Sequence, residues 1–403
     1  MIPQLNDFLY LVTGSTAVWL ALEIDVVLVC LLVFAGAFFC PRRFGKMQRL
    51  SFLRPLENAL NRFAQRRALA ILTVGVLALA LNAAISLGGQ MPQPSVHDEF
   101  SYLLAADTFA HERLSNPMHQ FWQHFESFHI IQQPTYNSKY PPGQGLMLAI
   151  GQVLFALPVA GSWLGTAFAC MAICWALQQW LRARTAFLGG LLAVVHPVII
   201  FWTQGFWGNQ LALLGGALVV GALPFFSSEN RMVPSRAGWI FGVGCALMLI
   251  TRPFEGAALT AFLLVVIAGQ LLRRPKEKQL DSAQPLNALR RSVRAVLPIA
   301  IVLCGTLGFW GFYNYRVTGK ATRMPYAVHH QTYGISPLFI WEKFRPTPVY
   351  RHRELRVWHT TEEPPAYLRH RTPGILWIVS WDKIGRLFYM HCQLLALAAG
   401  VLL

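Results

Sequence analysis

What most constrains this chain is a series of apolar runs, near 17–39, 68–88, 161–181, 186–202, 211–226, 237–251, 256–272, 295–312 and 387–403. A helix needs about 20 apolar residues to cross the hydrocarbon of a bilayer, and several runs approach that length. The 237–251 run is short, but 237–272 is long enough for a hairpin turning at "TRPFEG". A further run at 145–158 is too short and follows a loop too closely, so it reads as a juxtamembrane or re-entrant helix. The pattern predicts an all-α polytopic membrane protein of about nine transmembrane helices.

Composition agrees. The chain is 55% hydrophobic and 13% charged, with mean hydropathy +0.42, too apolar for a soluble enzyme. A net charge of +16 would fit a nucleic-acid partner only with a basic face on a soluble domain. Here the cations sit in short segments between apolar runs, so no nucleic acid is expected. Cys30, Cys40, Cys170, Cys174, Cys245, Cys304 and Cys392 lie in or beside apolar runs without a CxxC pair. They read as small apolar residues, not as disulfides or zinc ligands. No basic region precedes the first apolar run, so a cleaved signal peptide is not expected.

Nineteen of the 34 basic residues fall in four connections, 41–67, 182–184, 231–236 and 272–294. The opposite short connections carry only Arg113, Lys139 and Arg252. The first set is therefore cytoplasmic by the positive-inside rule. The basic segment 313–386 is long, and long loops cross regardless of charge. Alternating the spans puts 90–144, 202–210, 252–255 and 313–386 on the outer face. One membrane domain, 1–403, results: an N-terminal extra span and basic link (1–67), a first outer loop (90–144) and a second large outer loop (313–386). No tandem repeat is evident.

Of eighteen acids, Asp98, Glu99, Asp107, Glu112 and Glu126 fall in the first outer loop, and Glu255 at the outer hairpin turn. "VHDEFSY" places Asp98 and Glu99 just outside a span, at the depth of lipid head groups. The bland reading is a helix cap: Ser95 with Asp98 fits the S-x-x-D/E capping box, and acids in a first turn complement the helix dipole. The histidines of 111–129 show no H-E-x-x-H spacing and read as surface or packing residues, not metal ligands. Tyr102, Phe109, Trp122 and Phe125 read as an interfacial aromatic belt. Lys139 and Arg252 are isolated outer cations suited to a phosphate.

"HDEFSY" after the span 68–88, "KYPPGQG" leading into an apolar helix, and "LITRPFEG" at an outer turn together resemble the integral-membrane glycosyltransferases of the C-type fold. That superfamily includes the protein O-mannosyltransferases and the aminoarabinose transferases of lipid A. The resemblance covers roughly 68–330. It implies a bundle with juxtamembrane helices in the first outer loop, in the plasma (bacterial inner) membrane, with its active site on the periplasmic face. It further implies transfer of a sugar from a polyprenyl-phosphate donor to an acceptor hydroxyl on a lipid, glycan or protein. Asp98 would then be the general base, Glu99 and His97 would orient the site, and Lys139 and Arg252 would hold the phosphate. Tyr102, Tyr140 and Glu255 would line the substrate site. This chain departs from the pattern in its extra span at 17–39 and in ending inside an apolar run. It would be a short member or a truncated one.

Two other roles stay open at this point. Asp98 with Glu99 is an oxygen pair that a divalent cation takes, although no third ligand adjoins it; no other cofactor is expected. The rival class is a transporter or flippase. Transport paths are usually marked by ionisable groups within spans, and here only Glu23 and Asp25 qualify, near an outer end. No inverted repeat with paired broken helices stands out. A non-catalytic scaffold would leave the outer acid pair without a reason.

Overall fold

The computed structural model describes residues 54–226, 234–272, 284–339, 341–378, 380, 381, 383 and 384. The expected spans at 17–39 and 387–403 lie outside them. Contacts divide the chain into two units, Met1–Asn61 with Pro373–Leu403, and Arg62–Thr372. In the first, the edge of Trp377 meets Trp381 at 5.6 Å. Every feature below belongs to the second, apart from the first turns of helix α1 (Arg54–Gln65).

Helix α2 (Arg67–Gly88) is followed by α3 (His97–Ala110). A two-stranded antiparallel ribbon comes next, with β1 (Ile130–Ile131) pairing Ile130 with Ser138 and Ile131 with Asn137 of β2 (Asn137–Ser138). The ribbon is a small departure from the all-helical expectation. Then come α4 (Pro142–Phe155), α5 (Pro158–Trp180), α6 (Ala183–Val194), α7 (Pro197–Thr203), α8 (Asn209–Ala222), α9 (Ser235–Thr251), α10 (Pro253–Leu272) and α11 (Gln284–Thr318). Short helices α12 (Pro325–Tyr333), α13 (Arg353–Val357) and α14 (Glu363–Arg371) close the unit.

Among the described residues five helical stretches are long and apolar enough to cross a membrane: Arg67–Gly88, Pro158–Trp180, Asn209–Phe226, Pro253–Leu271 and Val293–Thr318. A sixth results if α6 and α7, bent by 48°, form one broken span. Of the nine expected spans, the described residues thus account for five or six. Helix α9 has 17 residues, and α4, with 14, fits the expected juxtamembrane helix. The bend follows from Pro197, which has no N–H to continue the ladder. The side chain of His196 caps the restart by accepting from the Val198 N–H at 3.2 Å.

Helix α5 is central, with 72% of its apolar window buried, against 22% for α10 and 17% for α11. The last two turn most of their side chains outward, as lipid-facing helices do. Phe226, Phe241, Cys245, Met248, Ile267 and Ile299 form the core shared by α8 through α11. Helices α8 and α9 approach backbone to backbone: a Cβ on Gly215 would lie 2.6 Å from the Gly244 carbonyl oxygen. Small residues at such crossings gain dispersion contacts that apolar association in lipid otherwise lacks. A second cluster, with Ala106, Leu148, Val159, Trp163 and Phe206, joins α3, α4, α5 and the turn 204–208.

That turn is non-helical backbone at the end of an apolar bundle, tolerated there only if its polar groups find partners. They do. Ser162 Oγ donates to the Gly205 carbonyl at 2.8 Å, Gln144 Nε2 to that of Phe206 at 2.9 Å, and Gln210 Nε2 to that of Trp202 at 2.8 Å. Gln204 Nε2 reaches Asn82 Oδ1 at 3.2 Å.

The two ends of the bundle are built from different elements. At one end Gln178 Nε2 donates to the Arg67 carbonyl at 3.3 Å and the Arg236 guanidinium lies 5.8 Å from the Phe225 ring. Arg182 and Arg184 start α6 at the same end. At the other end lie α3, the ribbon, the turn 204–208, Arg252 and the segment after Thr318. That segment covers the stretch between α3 and the ribbon. Tyr333 Oη donates to Glu126 Oε1 at 3.1 Å, and Arg351 pairs with the same buried carboxylate at 3.1 Å.

Candidate functional site at the end of the bundle

The acid pair occupies the first turn of α3, and its members diverge because successive helical side chains point about 100° apart. Glu99 turns inward and is 2% exposed. Its Oε2 accepts from the Ser95 N–H at 2.8 Å and Ser95 Oγ at 3.2 Å, and its Oε1 accepts from the Phe206 N–H at 3.0 Å. The capping interaction expected of Asp98 is thus made by Glu99, one residue on. Its carboxylate also clamps α3 to the turn 204–208, where a Cβ on Gly205 would lie 2.8 Å from Oε1. Glu99 is a fixed anchor.

Asp98 is freed by that arrangement. Its Oδ1 accepts from the Tyr140 hydroxyl and faces His129 Nε2 at 3.6 Å. Burial pushes its carboxyl above the usual carboxylate range, against the lowering pull of Lys139 and His97. His97 itself is exposed and stacks on Phe128, with ring centres 4.1 Å apart.

The ribbon delivers the next members. Ser101 Oγ on α3 donates to the His129 carbonyl at 2.7 Å and shares a hydrogen bond of 2.7 Å with Ser138 Oγ. The Lys139 N–H donates to the His129 carbonyl at 3.1 Å, and that of Tyr140 to Ser138 Oγ at 3.1 Å. Pro142 then opens α4 in the first helical turn, where a missing N–H costs nothing. Lys139 and Tyr140 are held against α3 in consequence, with Tyr140 stacked on Tyr102 at 4.5 Å. Burial also raises the Tyr102 hydroxyl's pKa, while the Arg252 charge opposes it.

Lys139 is 8% exposed, its ammonium 5.1 Å from the Tyr140 ring centre and 5.0 Å from that of Tyr326. Among the described residues it has no hydrogen-bond or ion-pair partner, only the field of Asp98 and Glu363. Burial lowers its pKa to about 8, with those two carboxylates pulling it back up. A buried ammonium between aromatic faces keeps three donors that an anion could take.

Arg252 sits at the break between α9 and α10. Its Nη2 donates to Asn209 Oδ1 at 2.7 Å and its Nη1 lies 3.7 Å from Glu255 Oε1, with both side chains largely exposed. The tie of Arg252 to Glu255 is local to the hairpin turn.

Several members went unread in the sequence. His129 is buried beside Asp98, whereas His111, His119 and His124 are exposed as expected. From the far segment come Tyr326, His329, His359 and Glu363. His359 Nδ1 and Glu363 Oε2 are 2.8 Å apart, and Trp358 Nε1 donates to Glu363 Oε1 at 3.2 Å. Burial raises the Glu363 carboxyl, but His359, Trp358 and Lys139 together outweigh it and leave it below its ordinary value. Of the expected aromatic belt, Tyr102 packs on Tyr140 and Phe109 on buried Tyr313, while Trp122 lies 4.9 Å under the Arg351 guanidinium.

Fold and cluster together define a polytopic helical membrane protein with a buried carboxylate, ammonium and histidine cluster at one end of its bundle. No protein-family model, curated protein or solved structure matches this chain.

Proposed function

We propose that the chain is a membrane glycosyltransferase that moves a sugar from a polyprenyl-phosphate donor to an acceptor hydroxyl on the outer, periplasmic face. The observation that carries this reading is the buried Lys139 ammonium, unpartnered among the described residues, beside an Asp98 carboxylate raised by burial. An anion receptor and a proton acceptor stand side by side, at the end of helices that a lipid-anchored donor can approach from the bilayer.

In the proposed reaction the acceptor oxygen attacks the anomeric carbon, its proton passes to Asp98, and the bond from that carbon to the phosphate oxygen breaks. Polyprenyl phosphate leaves with the electron pair, and the anomeric configuration inverts. Positioned proton transfer of this kind contributes about 10²–10⁴-fold. Lys139 meets the charge that grows on the departing phosphate, where a desolvated cation is most effective. Arg252 serves the phosphate's exposed side. Tyr140 orients Asp98, Tyr102 backs Tyr140, and Glu255 restrains Arg252. Glu99 supports the site from behind and His97 forms its rim.

The test is transfer from radiolabelled polyprenyl-phosphate sugars by the purified chain in lipid vesicles, with a mixed lipid and glycan extract as acceptor. Label should move from the donor to a product that resists mild acid. Vesicles that translocate the intact donor without breaking its sugar–phosphate bond would overturn the reading in favour of a transporter.

A further inference from the structure

We infer that His129 is a positioning residue for Asp98, and that the outer segment after Thr318 holds it in place through His329. The inference rests on the reading of Asp98 as the base. His129 adopts φ 61°, in the left-handed region that a side chain with a Cβ rarely enters. Such backbone persists only where its surroundings over-determine it, and it concentrates at functional sites.

Here the surroundings are complete. The His129 carbonyl accepts from Ser101 Oγ and from the Lys139 N–H, as described above, and its own N–H donates to His329 Nε2 at 3.2 Å. Ser101 and Lys139 belong to the first outer loop, so they fix only one side of the residue. The other side is fixed by an imidazole 200 positions away, on α12, that is 4% exposed. With the backbone turned this way the His129 ring points its Nε2 at Asp98 Oδ1, 3.6 Å away. A hydrogen on Nε2 faces the carboxylate, which leaves Nδ1 bare, and Nδ1 is buried without a partner. A neutral ring suits this position, because burial and the charge of Lys139 hold the His129 pKa at about 2.

The row continues outward. The rings of His329 and His359 lie 6.0 Å apart, and His359 ends it on Glu363. The Tyr333 and Tyr350 rings lie nearly parallel to His359, each at 10° to it. Three buried histidines thus run from Asp98 to Glu363, and the second outer segment supplies two of them. Its contribution to the reaction is to set the direction of the base without touching the donor.

Three variants of the full chain in vesicles test this. His329→Leu removes the acceptor for the His129 N–H, whereas His329→Gln presents an amide oxygen that can take it. Expected is a fall in kcat of at least tenfold for His329→Leu with the donor KM unchanged, and at least half of wild-type kcat for His329→Gln. His129→Asn, a residue that tolerates the left-handed region, keeps the backbone turn but removes the imidazole from Asp98. Its kcat should fall likewise, and the acid limb of its pH profile should move to higher pH because the carboxylate loses a dipole that favoured ionisation. Equal activity of His329→Leu and His329→Gln, or an unmoved acid limb in His129→Asn, overturns the inference. Loss of activity in Asp98→Asn measured alongside shows that the reading of Asp98 itself still stands.

Discussion

Asp98→Asn separates chemistry from architecture. Asparagine keeps the shape of the side chain, and its Oδ1 still accepts from the Tyr140 hydroxyl that meets Asp98 now. It loses only the capacity to take a proton near neutral pH. The fold should not suffer, and the sign can be worked out. Burial raises the Asp98 pKa above its ordinary value, so the ionised carboxylate is disfavoured in the folded state. Above that raised pKa its ionisation opposes folding, and a neutral amide removes the opposition. Thermal stability at pH 7 should therefore be equal to wild type or slightly higher. Turnover should fall by about 10²–10⁴-fold, the span of positioned general-base catalysis, or about 2.7–5.5 kcal/mol of transition-state stabilisation. Donor KM should change little, because the carboxylate faces the acceptor's proton and not the phosphate. The assay is steady-state transfer by purified protein in vesicles, with Tm measured on the same preparation. A variant that folds normally and transfers within tenfold of wild type would refute general-base chemistry at Asp98.

Glu99→Gln should behave in the opposite way, losing thermal stability by about 1–3 kcal/mol, since its carboxylate accepts two backbone N–H groups and hydrogen bonds to charged groups are worth that much. Turnover per folded molecule should stay close to wild type; a stable but inactive variant would contradict the anchoring role. Donor affinity should fall as pH rises through about 8, because burial depresses Lys139 to that value and only its protonated form attracts phosphate. The same limb should vanish in Lys139→Ala, and Arg252→Ala should weaken donor binding at every pH; donor affinity flat from pH 6 to 10 in the wild type would remove Lys139 from the site. An impermeant thiol reagent applied to intact cells should label single cysteines placed near 120 or 330 and spare those near 55 or 280, and the reverse pattern would invert the topology.

The spans were legible because lipid imposes length and hydropathy on a contiguous segment. The run read at 68–88 is α2 from Arg67 to Gly88, and the turn read at "TRPFEG" is the break at Arg252. The bend at Pro197 divides what reads as one run at 186–202, and α9 ends at 17 residues because Arg252 and Pro253 stop it. The candidate cluster was legible in part, since Asp98, Lys139 and Tyr140 share a short stretch of chain. The roles within the acid pair were not. Choosing which of two adjacent acids faces inward requires knowing what α3 packs on, and the partner of Glu99 is the Phe206 N–H, over a hundred residues away. His129 lacked any spacing signal, since its companions His329 and His359 are joined to it only by the fold.

The clamp between Glu99 and the turn 204–208 has a geometric consequence. Adjacent Cα atoms lie 3.8 Å apart, so fastening one acid to the bundle fixes the level of its neighbour. The level of Asp98 at the end of the bundle is then a property of the helices, much as a depth stop on a drill belongs to the tool and not to the work. Outer segments can change in length or sequence without shifting that level, provided the clamp is kept. On the proposed reading, a substrate anchored by its own hydrocarbon tail would present its reactive carbon at one depth, and a carboxylate gauged from the same bundle would meet it there.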